Sequence, residues 1–545
     1  MNAVESKPFL RIPPFPGARA VSFDVRATVA RSEIEAAQFV ADIRRAKVGG
    51  DYWGQRPPLP DSPYTLIKLA DPAQASAEAA RHEAVVLWGD ASSSAGPNVT
   101  AVAGCCDPWH LLGRAASVVV DADEELALIA AIAGVSLKLV GEGRFAVLSD
   151  GPESVEAAVE DFVLSHSYVD PFTDAPIGVL DALRHCAFWR ELIEANRDIT
   201  AAFGFAFWKR PTVAPLLWAG DGPVPFETTL HQARTDGAVA IWKSRTPDDV
   251  LEELQQRGAT TVEVEDGFIR STGLGADCVP PLSIVVDRLG VHFDPSAPSE
   301  LEDILQNGNF APDVVRRAGE LRRLIVESGV SKYGAGLAPL DRRDASRRHI
   351  LVPGQVEDDR AVLSGGGPVI TNFELLKRAR QSAPDAYIIY KPHPDVEAGH
   401  RVGSIPDAEC LAVADEIVRD QPISALIDLV DELHVNSSLA GFEALLRQKL
   451  VTTHGVPFYA GWGLTNDLGS LPARRTAKRS LDELVAAVLL VYPRYLDPVS
   501  GLPCPPEILV RRIAEGAPEH QGGTVVQLRR LQGRLKKRLA GLGAR

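Results

Sequence analysis

No stretch of this 545-residue chain approaches the roughly 20 consecutive apolar residues of a membrane-crossing helix, so an integral membrane protein is not expected. Cysteine is scarce. The six cysteines form neither a Cys-x-x-Cys unit nor paired spacings, which argues against a disulfide framework and against a zinc cluster. Basic charge is also lacking: a net charge of −15 opposes broad nucleic-acid binding, which needs a basic footprint. Residues 1–14 carry Lys7 and Arg11 among prolines and no continuous apolar core of a secretion signal, so a cytoplasmic protein is expected.

What is present is an ordinary globular composition, 45% hydrophobic and 24% charged, in a chain long enough for about three domain-sized units. Three polar clusters each follow a short apolar run. Glu265-Asp266-Gly267 follows the strand-like residues 260–264, Lys391-Pro392-His393-Pro394-Asp395 follows Ile388-Ile389-Tyr390, and Ser437-Ser438 follows Leu433-His434-Val435. Carboxyl ends of strands in open parallel α/β sheets form the ligand crevice, so clusters far apart in sequence can meet there.

This order resembles the three short motifs of bacterial glycosyltransferases that use CMP-activated acid sugars. Longer strings narrow the resemblance: Glu-Asp-Gly-Phe-Ile-Arg-Ser at 265–271, Pro-Gly-Gln-Val-Glu-Asp-Asp at 353–359 and Gly-Val-Pro-Phe-Tyr-Ala-Gly-Trp-Gly at 455–463. Together they are similar to the capsule-type (KpsC-type) β-Kdo transferases, which build a Kdo linker on a phospholipid for capsular polysaccharide export. The resemblance covers most of residues 235–510. It implies a GT-B-like α/β fold of two Rossmann-type lobes, CMP-Kdo as donor, a lipid-linked Kdo acceptor and a role beside other capsule assembly and export proteins. A transferase of another CMP-activated acid sugar such as sialic acid, or a non-catalytic export scaffold, are the competing readings.

A CMP-sugar transfer needs a base or nucleophile at the anomeric carbon, a partner for the departing phosphate and a grip on the nucleotide. Asp266, with Glu265 beside it and Gly267 permitting a tight turn, is the first choice for general acid/base, while Arg270 is a candidate for positioning substrate and could instead pair with a carboxylate. Adjacent strand residues point to opposite faces, so one of the two carboxylates is expected to meet substrate. His393, fixed between prolines, is assigned by the resemblance to the CMP phosphate, with Lys391 near. Ser437 and Ser438 can offer hydroxyls to a phosphate or simply cap a helix. The family's β-retaining transfer implies a carboxylate nucleophile after the Gly-Gln pair, which makes Asp359, with Asp358 in reserve, the candidate beside Gln355. Here Arg360-Ala361 stands where the family has Ala-Ser. No metal-ligand spacing is visible, and a one-phosphate donor demands neither a metal nor another cofactor.

The chain also repeats itself. Residues 107–144 run without gaps against 421–458 at an offset of 314, both reading helix, strand, helix, strand, and Tyr168-Val169-Asp170-Pro171 matches Tyr495-Leu496-Asp497-Pro498 at an offset of 327. Where the later copy has Ser437-Ser438, the earlier has Asp123-Glu124. We therefore expect a degenerate, truncated module over 1–185, a connector helix over 186–204, a complete module over 205–515, and a linker with a basic amphipathic helix over 516–545. In that last segment Leu528, Leu531, Leu535, Leu539 and Leu542 fall at helical spacing among Arg and Lys, which suits peripheral attachment to the anionic inner face of the inner membrane.

Overall fold

The computed structural model describes residues 8–19, 23, 34–89, 98–150, 153–229, 236–271, 278–331, 334–335, 340–399 and 401–516. The basic helix expected over 525–542 lies outside the described residues. Two compact units are present, one running to Asp198 and taking in Leu217–Val224, the other made of Ile199–Leu216 and the chain from Pro225 onward.

Unit 1 is built on five parallel strands in the order Val99–Val102, Val85–Trp88, Tyr64–Lys68, Ala115–Asp121, Ser136–Val140. Runs such as Leu66-Ile67 and Val118-Val119-Val120 are buried without alternation, as strands covered on both faces require. Helix Glu125–Ala133 buries Leu126 to Ala130 and Ile132, then stops where Gly134 adopts a left-handed φ of 79°.

Unit 2 has two Rossmann-type lobes. In the first sheet Phe226–Glu227, Ile199–Phe203, Ala238–Ile241 and Thr260–Asp266 are parallel neighbours, and Ser283–Asp287, Pro493–Leu496 and Pro503–Cys504 continue the sheet antiparallel. The second sheet is parallel throughout, in the order Glu416–Ile417, Tyr387–Lys391, His349–Pro353, Glu432–Val435, Leu450–Thr453, Asn466–Asp467. The chain thus crosses to the second lobe and returns to finish the first sheet, the GT-B plan.

The connector helix is a correction. Helix Val179–Glu194 buries Ala182, Leu183, Cys186, Trp189 and Ile193 at helical spacing, and after a turn the chain becomes strand Ile199–Phe203. Ile199, Ala201 and Phe203 follow period two, and backbone pairing with Ala238–Ile241 takes them into the sheet. The second unit accordingly begins at Ile199 rather than 205, and the first ends at 198 rather than 185.

The repeat is visible down to single hydrogen bonds. Helix Pro108–Leu112, strand Ala115–Asp121, helix Glu125–Ala133 and strand Ser136–Val140 correspond to Ile423–Leu429, Glu432–Val435, Ala440–Leu446 and Leu450–Thr453. A π-turn ends the following helix in both, at Glu160–Leu164 and Ala486–Val491. Asp170 accepts the amides of Phe172 and Thr173, and Asp497, 327 residues on, those of Val499 and Ser500. The five strands of unit 1 share the order of the first five of the second lobe. Among the described residues unit 1 has no counterpart of the first lobe's sheet.

Asp497 is fully buried and also holds Ser500 Oγ at 2.7 Å and Arg512 Nε at 3.0 Å, whereas Asp170 is partly exposed. Asp497→Ala should therefore cost about 3 kcal/mol by stranding a paired guanidinium and two amides. Asp170→Ala should cost nearer about 1 kcal/mol. Urea unfolding of the two variants measures both.

Candidate active site

The first lobe contributes a charged wall. Strand Thr260–Asp266 ends in Glu265 and Asp266, and at Gly267 a Cβ would lie 2.2 Å from Ser283 Oγ, so glycine is what lets the chain pass its neighbour. Asp266, one-quarter exposed, receives Arg270 Nε at 2.8 Å and Lys209 Nζ at 3.1 Å. Lys209 follows strand Ile199–Phe203, and its ammonium sits 3.2 Å from the centroid of the Trp242 ring. Glu265 and Asp266 both line the cavity, where one of the two was expected. Burial pushes Glu265 up to about 8, Lys209 opposing and Asp266, Asp359 and Glu263 adding to the rise. Burial also lowers Lys209, against the pull of Asp266.

Arg270 needs correction as a substrate-positioning residue. It is 1% exposed, and besides Asp266 its nitrogens bind Ser271 Oγ and Val279 O, each at 2.8 Å.

The second lobe contributes a polar wall. After strand His349–Pro353 the chain turns through Gly354, where a Cβ would meet Tyr390 Oη at 2.7 Å, into the buried Gln355. The Gln355 amide makes two bonds to one residue: Nε2 donates to Ser437 Oγ at 3.2 Å, and Oε1 accepts Ser437 N–H at 3.1 Å. Asn372 fixes the Gln355 backbone from both sides, at 2.8 and 2.7 Å. Ser438 Oγ accepts Ala440 N–H at 3.2 Å, but the N-cap position of helix Ala440–Leu446 falls to Leu439, so Ser438 is not the helix cap that the sequence allowed. Lys391 is buried, donates to Arg419 O at 3.1 Å, and its proton affinity is lowered by that burial. His393 Nδ1 accepts Asp395 N–H at 3.2 Å, which places the ring proton on Nε2 and makes that nitrogen a donor.

The two walls enclose a cavity of about 1070 Å³, at the upper end of the range for small-molecule sites. It gathers Glu265, Asp266, Arg270, Gln355, Asp359, Lys391, His393, Ser437 and Ser438. Asp359 caps helix Arg360–Gly365 through Ala361 N–H at 2.9 Å and reaches the cavity as well. Asp358 does not line it; it turns to Arg401 at 3.1 Å, and the reserve nucleophile is thereby corrected. Sequence reading missed Trp208, Lys209, Trp242, Arg245 and Arg419, all in the cavity wall. Lys209 was within reach of the rule that found the others, since it too follows a parallel strand, but that strand had been absorbed into a helix.

The matching edge of unit 1 is closed by its own charges. Glu124, in the place of Ser438, pairs with Lys68 at 2.8 Å, and that ammonium lies 4.2 Å from the Trp88 ring centroid. Asp123, in the place of Ser437, pairs with Arg144 at 3.0 Å.

Comparison with known proteins agrees with this geometry. Residues 237–328 and 327–495 match the family described as capsule polysaccharide biosynthesis protein. The capsule polysaccharide modification protein LipA of Neisseria meningitidis is 37% identical over 336 residues, 61% of this chain and 47% of that protein. The lipopolysaccharide-processing protein LpsZ of Rhizobium meliloti is 44% identical over 236 residues, 43% of this chain and 53% of its own. The chain thus spans about half the length of the curated relatives it matches. Among solved structures, the Thermosulfurimonas dismutans KpsC beta Kdo 2,4 transferase is 29% identical with a TM-score of 0.51, over 58% of this chain and 98% of that one. With their motifs and two-lobed fold, residues 237–495 belong to the capsule polysaccharide biosynthesis family.

Proposed function

We propose that unit 2 transfers Kdo, with retention of the β configuration, from CMP-Kdo to a lipid-linked Kdo acceptor in capsular polysaccharide synthesis. The observation that carries this reading is one cavity in which the acid pair Glu265 and Asp266 faces a second-lobe wall of Asp359, Gln355-clamped Ser437, Lys391 and the Nε2–H of His393. The solved Kdo transferase among its relatives supports the choice of sugar.

In this reading Asp359 Oδ forms a bond to the anomeric carbon as the bond to the CMP phosphate breaks, and CMP leaves with the electron pair. His393 and Lys391 offset the charge gathering on the phosphate. The acceptor hydroxyl then displaces Asp359 and gives its proton to Asp266. Residues 525–542 would hold the enzyme at an anionic membrane, where a lipid acceptor lies.

Four outcomes test the scheme. Asp266→Asn should fold normally and lose roughly 10²–10⁴-fold in transfer measured by product analysis with CMP-Kdo and a synthetic Kdo-lipid; near-parent rates would defeat it. His393→Ala should weaken CMP binding about tenfold to a hundredfold in calorimetry, because the bond it loses is to a charged phosphate. The parent should show one CMP site, lost in Ser437→Ala/Ser438→Ala and indifferent to changes at Asp123 and Glu124. Deleting 523–545 should abolish binding to anionic vesicles and leave turnover on a soluble acceptor unchanged; retained vesicle binding would remove the helix from the scheme.

A further inference from the structure

Lys209 and Arg270 are both cations of the cavity wall that are buried, at 5% and 1% exposure, and in direct contact with Asp266. A lysine is almost never buried without a partner, and the partners here are Asp266 at 3.1 Å and the face of Trp242 at 3.2 Å. Trp242 is itself buried, directly after strand Ala238–Ile241, so the ammonium is held from below by an indole and from the side by a carboxylate. Arg270 completes the grip on the other oxygen of Asp266. The charged groups facing this pair are Lys209, Arg270 and Asp359, with Glu263 behind Glu265 and already engaged by Lys243 at 2.7 Å.

We propose that Lys209 is a positioning residue of the acid/base site: its buried ammonium, together with Arg270, holds Asp266 as an oriented, ionised base among converging carboxylates. This rests on the function proposed above and adds to it a residue that works through Asp266 rather than on the sugar. Glu265 and Asp359 both face Asp266 across the cavity, and without a fixed cation beside it Asp266 would take up a proton more readily. A protonated Asp266 cannot accept the acceptor's proton. The burial of Lys209 keeps its charge from being screened by solvent or traded for a passing counter-ion. Burial is the main cause of the rise of Glu265; Asp266, Asp359 and Glu263 add to it, and Lys209 opposes it.

The sign of the effect follows. Removing a cation raises the proton affinity of the carboxylates it faces, so the acid limb of the pH–rate profile of Lys209→Met should move up by about 1 to 3 pH units, with transfer recovering as pH rises. Lys209→Arg, which keeps the charge, should restore most of the parent profile. A residue that merely supported the fold would depress the rate at every pH without moving the limb. A second measurement needs no turnover: melting temperature from pH 5 to 8. Lys209→Met should melt below the parent at pH 7 to 8, the gap should narrow as falling pH protonates the carboxylates, and it should vanish in an Asp266→Asn background. An unmoved acid limb, a pH-independent gap, or an equal gap beside Asp266→Asn would each overturn the role of Lys209. If the parent transfers no Kdo, the function above fails, while the melting series still decides whether Lys209 and Asp266 act as a pair.

Discussion

Glu265, Asp266 and Asp359 converge in one cavity, and holding these carboxylates together is the constraint on which the site depends. Burial raises the proton affinity of Glu265, with Asp266, Asp359 and Glu263 adding to the rise and Lys209 opposing it. Parallel neighbours Ile199–Phe203, Ala238–Ile241 and Thr260–Asp266 end at the same edge, so the segments that follow them deliver Lys209, Trp242 and the acid pair to one place. Arg270, four residues past Asp266, folds back beneath it. The sheet order is thus what makes the charge balance possible.

The second lobe solves the opposite problem, presenting hydrogen-bond donors without letting them collapse on each other. Gln355 and Ser437 satisfy one another twice, and Asn372 ties the Gln355 backbone to Gly403 as well. Asn436, preceding the serine pair, donates to Val369 O at 2.9 Å. Such a network is largely formed before any ligand arrives, and a preorganised donor set spends little on reorganisation when charge develops on a phosphate. His393 fits the same pattern: the amide of Asp395 fixes its tautomer, so the ring needs no proton exchange before it donates.

Much of this was legible in the sequence because the polar clusters sat directly after strand-like runs. The rule that strand ends form the crevice placed Asp266, Gln355, His393 and Ser437 together correctly from positions up to 171 residues apart. It failed where the strand itself was misread: Ile199 continues the helical period of Leu192 and Ile193 by coincidence, and only pairing with Ala238–Ile241 reveals the strand and with it Lys209. Arg270 and Asp358 were misjudged for a different reason. A charged residue next to a motif has no sequence mark saying whether it faces substrate or another side chain, and both here found intramolecular partners. The antiparallel half of the first sheet was equally hidden, since strands Pro493–Leu496 and Pro503–Cys504 lie far along the chain from the partners they complete.

The two units show which features a fold keeps when a site is lost. Apolar positions on the strands and helices of unit 1 remain buried, the π-turn persists, and the Asp170 turn repeats the Asp497 turn bond for bond, because each supports packing that any folded copy must retain. Residues just beyond the strand ends carry no such load. There the serines are replaced by Asp123 and Glu124, and the resulting charges are absorbed by Arg144 and Lys68 rather than offered to a ligand. A phosphate entering that edge would meet two carboxylates and cations already committed to them. Among its described residues unit 1 has no counterpart of the acid-bearing sheet, yet its strands and helices keep a buried apolar core, because burial of those positions is what any folded copy requires.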